Sequence, residues 1–218
     1  MKTYRGHQVR RAVEQVAHRM SNYLSLGAIR IIWSASVSTA AMNSSGDLIL
    51  SDLKSDAVVS ESVLHRYVGF VIHELLHRAY TKFVFFNKTS IQYVRQLANA
   101  LEDCYIERTG IANRDLGNIE GALTALCDGM VEEAMVEVKD WTDPRQYPFA
   151  LAIYGRDHVT RKVPLANGLR PLFDEAIARS KAGNGTHDNF LIAQWLYEQL
   201  SKDIPPEEEG EELPPVVE

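Results

Sequence analysis

"VIHELLHRAY", residues 71 to 80, closes a run in which Val63, Leu64, Val68, Val71, Ile72, Leu75, Leu76 and Ala79 recur at three- and four-residue steps. That is the period of a helix, and it predicts one from Ser60 to Tyr80 with HELLH in its last turns. An α-helix turns about 100° per residue, so His73 and His77 lie about 40° apart on one face and both imidazoles can reach one ion. Glu74, about 100° from His73, can address a water on that ion without taking the same ligand direction. Zinc hydrolysis divides labour in this way: the metal acidifies its water and a carboxylate takes the proton. The same three residues also suit a solvated helix face, so the chain on either side has to decide.

On the N-terminal side, Val9, Val13, Val16, Ala17, Met20 and Leu24 form one apolar stripe, predicting a helix over residues 7 to 26 that ends near Gly27. "AIRIIWSASV" (28 to 37) and "GDLILSDL" (46 to 53) read as short strands of a two-stranded or slightly larger sheet, with Asn43, Ser44, Ser45 and Gly46 between them. If "GDLIL" is an edge strand, an extended substrate could add to it beside the histidines. On the C-terminal side, a helix is expected from Thr89 to Thr109, ended by Gly110, and it carries "NALEDCYIE" (99 to 107). A catalytic zinc takes three protein ligands and leaves one position for water, and this acidic helix can supply the third.

Two adjacent carboxylates compete for that place. The apolar face of residues 91 to 105 is made by Val94, Leu97, Ala98, Leu101, Cys104 and Tyr105; Glu102 borders it and Asp103 points nearly opposite. Glu102 is the ligand if the zinc helix packs on the apolar face, and Asp103 if a polar seam faces the ion. Asn99 and Glu107, one turn before and after Asp103, would form an outer shell able to orient a ligand.

The 218 residues are 45% apolar and 24% charged, an ordinary soluble composition. No apolar run is long enough to span a membrane, and no signal-like segment follows the first residues, so the expected place is the cytoplasm. Two cysteines, Cys104 and Cys127, both within helical patterns, do not make a disulfide framework. Residues 203 to 218 hold seven acids and no base, which leaves 22 acids against 23 bases before them. A nearly neutral body offers no general case for nucleic-acid binding. The ending "DIPPEEEGEELPPVVE" has too little apolar area to offset its ordering and is expected to be a disordered tail. The expected organisation is one domain over 1–202, with a core at 28–112 and a helical extension at 113–202. The extension is punctuated at "DPRQYP", "KVPLANGLRP" and "KAGNGTHD" and ends in a helix near Asn189 to Leu200.

"TAAMNSSGDLIL", "HELLH" and "NALEDCYIE" together resemble the predicted zincin-like metallopeptidase domains of bacteria and phages that accompany von Willebrand A domains. "EDCYIERTG" is also similar to part of the cobalt chelatase T subunit, whose relatives carry an acidic linker before such a domain. The resemblance covers residues 28 to 112. It implies an α+β, mostly helical fold with a short sheet beside the HExxH helix and further helices after it. It also implies a Zn2+ cofactor, a peptide or protein substrate, and a von Willebrand A protein with its ATPase as partner. The family pattern keeps an acid at the position of Asp103, which favours Asp103 over Glu102. The activity expected is peptide-bond hydrolysis with Glu74 as general base; the rival is a non-catalytic scaffold for that partner, and a third reading is hydrolysis of a non-peptide amide.

Other polar residues rank lower. His18 and His65 have no acid at ligand spacing and read as structural or surface groups, and Cys104 reads as a buried thiol. Tyr80, Tyr105, Tyr154, His158 and His187 are each able to donate to an oxyanion, and "YGRDH" (154 to 158) concentrates such donors best.

Overall fold

Seven helices, α1 (Gly6–Tyr23), α2 (Glu61–Tyr80), α3 (Gln92–Ala112), α4 (Glu120–Glu137), α5 (Tyr147–Tyr154), α6 (Leu169–Ala182) and α7 (Thr186–Leu200), dominate the computed structural model. Five short strands accompany them among the described residues: β1 (Thr3–Arg5), β2 (Ile31–Ser34), β3 (Ala40–Met42), β4 (Leu48–Ser51) and β5 (Val58–Ser60). The α+β, mostly helical class is as expected. The structure describes residues 2–37, 39–43 and 45–201; the expected tail at 203–218, and Ser44 of the turn before β4, lie outside them. The contacts gather into two compact units that interleave along the chain. One comprises residues 1–79 with 109–130, the other residues 80–108 with the chain from Val131 onward.

In the first unit α1 buries Val9, Val13, Ala17 and Met20, spaced to fall on one side. It stops at Tyr23, earlier than its apolar stripe suggests, because Ser25 and Gly27 adopt positive φ (56° and 76°), which a right-handed helix does not allow. The main sheet runs β2-β4-β3, with β2 parallel and β3 antiparallel to β4; β1 and β5 form a separate antiparallel pair. β4 is therefore the central strand: Leu48, Ile49 and Leu50 face Ile31, Ile32 and Trp33 on one side and Met42, Ala41 and Ala40 on the other. This overturns the expectation that "GDLIL" is an edge strand. Leu48 and Leu50 are wholly buried, and a strand with that much apolar area to cover is the natural centre of a small sheet.

Helix α2 buries Phe70, Val71, Ile72, Leu75 and Leu76 in the same unit. Two glycines let it be approached closely. A Cβ on Gly69 would lie 2.6 Å from the Ala122 carbonyl oxygen and 2.7 Å from Leu126 Cβ of α4, and one on Gly110 would lie 2.6 Å from Leu76 Cδ2. Gly110 does not end its helix as expected. It is an interior residue of α3, and its missing side chain makes room for Leu76.

In the second unit α3 buries Tyr93, Val94, Leu97, Ala98, Leu101 and Cys104. The chain leaving α5 passes so close that a Cβ on Gly155 would lie 2.7 Å from Cys104 Sγ. Ser180 of α6 donates to Asn189 of α7 at 2.7 Å, and the Tyr93 hydroxyl donates to the Pro144 carbonyl at 2.7 Å. Helices α6 and α7 meet around Gly183–Gly185, where the sequence "KAGNGTHD" breaks the pattern as expected.

Candidate metal centre

His73 and His77 stand one turn apart on α2, their ring centroids 4.7 Å apart and their planes nearly perpendicular at 83°. His77 is buried to 9% exposure and His73 is half-buried, as is Glu74 beside it. The next residue, Arg78, is an anchor that the sequence reading did not single out. Its guanidinium donates to the Gly46 carbonyl at 2.8 Å and to the Leu26 carbonyl at 2.9 Å, tying the histidine turn of α2 to the turn before β4 and to the segment after α1. Asn43 and Asp47, on either side of that turn, are tied to each other. Asn43 Oδ1 accepts from the Asp47 backbone N–H at 2.9 Å, Asn43 Nδ2 donates to the Asp47 carboxylate, and Arg30 pairs with the same carboxylate. The Arg30 guanidinium, with help from Asn43, holds Asp47 below the usual carboxylate range.

The competing acids of α3, in the second unit, have different surroundings. Glu102 is completely buried, and both its oxygens are engaged: Thr186 Oγ1 donates to Oε1 and Asn189 Nδ2 to Oε2, each at 2.8 Å. Thr186 in turn accepts from the Lys82 backbone N–H at 2.9 Å, so Glu102 fastens the start of α7 and the segment after α2 to α3. Asp103 is half-buried. Its Oδ2 accepts from Arg156 Nη2 at 3.1 Å, and its Oδ1 accepts a long bond, 3.4 Å, from Asn99. Glu107, 1% exposed, accepts two bonds from Arg156, at 2.8 and 3.0 Å, and lies 2.7 Å from His158 Nε2. Asn99 thus contacts Asp103 directly, and Glu107 shares an arginine with it.

The remaining residues fall as their types suggest. His18 and His65 are exposed. Cys104 is buried against the Ala152 carbonyl, and burial pushes its thiol up to about 12, so it stays protonated. Tyr154 donates to Asp174, and His187 is exposed with its ring against Phe85. Of "YGRDH", the arginine and the histidine reach the α3 carboxylates. Arg156 was the least conspicuous residue of that segment, yet an arginine directly after the apolar run "FALAIYG" (149 to 155) is the signal that could have found it, since a buried guanidinium needs carboxylates.

Comparison of the chain with protein-family models, with curated proteins and with solved structures finds no match in any of the three.

Proposed function

We propose that the chain is a zinc-dependent hydrolase of amide bonds, with His73, His77 and Asp103 as metal ligands and Glu74 as general base. The observation that carries the reading is the pair of imidazoles held one turn apart on a single face of α2, with Glu74 next to the first. Two imidazoles and a carboxylate, the donor types offered by His73, His77 and Asp103, suit zinc and leave a position for water. Asp103 is preferred over Glu102 because Glu102 is completely buried with both oxygens in 2.8 Å bonds, whereas Asp103 is half-buried and its Oδ1 accepts only a long bond, 3.4 Å, from Asn99. When bound, the metal would supply a water acidic enough to ionise near neutral pH and a positive charge for the oxygen that develops on the carbonyl.

The chain's own work is then to place and move a proton. The Glu74 carboxylate accepts it as the water attacks and returns it to the departing nitrogen. Arg78, bonded to two backbone carbonyls, keeps this turn of α2 in register with the sheet. A peptide as substrate, and a von Willebrand A protein with its ATPase as partner, follow from the resemblance of "HELLH" and "NALEDCYIE" to the zincin-like family. With β4 interior, an extended peptide pairing with the main sheet would have to add to β2 or β3.

Glu74→Gln keeps the shape and removes the base, so it should hold about one zinc per chain while its peptidase rate falls at least a hundredfold, on the order expected for loss of a general base. His77→Ala should lose metal and activity together. Metal analysis beside a peptide-cleavage assay decides: full activity in Glu74→Gln, or undiminished zinc in His77→Ala, sinks the reading.

A further inference from the structure

We propose that Arg156 is a positioning residue for the metal centre, setting the direction in which the Asp103 carboxylate is presented. This rests on Asp103 being a ligand, as proposed above. Gly155 lets the chain press against Cys104 of α3, and the next residue, Arg156, is thereby carried onto the side of α3 that bears its acids. There the guanidinium is almost wholly buried, with a side-chain exposure of 4%, between two carboxylates one helical turn apart. Its Nε and Nη2 make a two-pronged contact with Glu107, at 2.8 and 3.0 Å, and Nη2 also reaches Asp103 Oδ2 at 3.1 Å.

Glu107 is held from a second direction by His158, so it serves as the fixed end of the arrangement. Because the guanidinium is planar and its donors diverge at set angles, fixing it on Glu107 also fixes where Nη2 points. One oxygen of Asp103 is bound to that point, which orients the plane of the carboxylate and the direction of its other oxygen. A buried ion network of this kind is weak evidence for stability, since apolar residues of similar volume would do as well. Orientation of a ligand is what an arginine supplies and a hydrocarbon does not.

Zinc affinity of the full chain, measured by competition with a chromophoric chelator, tests this in wild type, His73→Ala, Asp103→Asn, Arg156→Lys and the double variant Asp103→Asn/Arg156→Lys. Lysine keeps the charge but lacks the fork, and Arg156→Lys is expected to weaken zinc binding by about 10- to 100-fold, the usual cost of losing an outer partner of a metal ligand. In the Asp103→Asn background the same change should have little effect, because Arg156 acts through Asp103. Affinity equal to wild type in Arg156→Lys, or an equal loss in both backgrounds, overturns the proposal while leaving the metal site intact. If wild type and His73→Ala bind zinc alike, the metal site itself falls and this inference with it. Should Arg156→Lys fail to fold, wild type is compared with Arg156→Met/Glu107→Gln, which removes the guanidinium together with the buried Glu107 charge that it faces. The same 10- to 100-fold loss is expected between them, on the same ground, and equal affinity counts against the role.

Discussion

Glu102 and Asp103 are neighbours in sequence, yet the structure gives them opposite tasks. Glu102 is completely buried and is satisfied by a hydroxyl and an amide, each donating to one oxygen. Thr186 can accept a second bond besides that from the Lys82 N–H only by turning its hydroxyl hydrogen away from Glu102, and Asn189 cannot turn over without losing the bond from Ser180. Glu102→Gln therefore sets an NH2 group against a donor and should destabilise the fold by about 1–3 kcal/mol, the cost of an unmet buried polar group. Its folded fraction should still bind zinc as wild type does. Asp103→Asn should do the reverse, with nearly unchanged unfolding and a marked loss of zinc affinity. Urea unfolding of the zinc-free proteins beside chelator competition separates the two, and weaker zinc binding by Glu102→Gln than by Asp103→Asn would exchange their roles. The sequence alone left this choice open because helical angle says which way a residue points, not what stands there. The partners of Glu102 lie more than eighty residues downstream, Thr186 in a segment read only as a break in the helical pattern and Asn189 at the start of the last expected helix.

Among the elements, α2 was the most legible, because its apolar period is long and its motif is placed within it; the observed span Glu61–Tyr80 differs from the expected one by a single residue at its start. Less legible were features set by close approach. Gly110 read as a helix stop, since glycine after a periodic run commonly is one, but it lies inside α3 against Leu76. β3 went unread because "AAM" carries no β-branched residue, and with β3 missing β4 looked like an edge. The two close glycines make a paired prediction. Gly→Ala within a helix gains about 0.5–1 kcal/mol in backbone terms, but overpacking costs about 1–3 kcal/mol where the neighbour cannot yield. The neighbour of Gly69 is the Ala122 backbone, which is fixed, whereas that of Gly110 is the far end of the Leu76 side chain, which can rotate. Gly69→Ala should therefore lower the urea midpoint clearly, and Gly110→Ala should leave it near wild type. The opposite order would show that α2 is held to α4 less tightly than the geometry implies.

At the scale of the whole chain, the resemblance to a zincin-like core drew attention to residues 28–112, but the compact units do not follow that segment. Contact between distant parts of the chain is what a sequence hides best, because an apolar stripe shows that a face is buried without showing against what. The first unit takes α1 from before residue 28 and residues 113–130 from after 112, and these supply Val9, Val13, Ala17, Met20, Leu123 and Leu126 to its buried set. Five of these six side chains are larger than alanine, and each such side chain removed from a core costs about 2–5 kcal/mol. Their joint loss, about 10–25 kcal/mol on that scale, is as large as the roughly 5–15 kcal/mol by which a whole domain is stable. Gly69 would also face solvent where it now meets Ala122 and Leu126. A fragment of residues 28–112 carries HELLH and both candidate third ligands, so by motif alone it is complete; by packing it is not. It should show little fixed tertiary structure by near-ultraviolet circular dichroism, unfold in urea without a cooperative transition, and, on the ligand set proposed above, bind zinc far more weakly than the full chain, since an unfolded segment must pay for folding when it binds metal. A cooperative transition together with full-chain zinc affinity in that fragment would show that the motif-bearing segment is a domain in its own right and that α1 and α4 only decorate it.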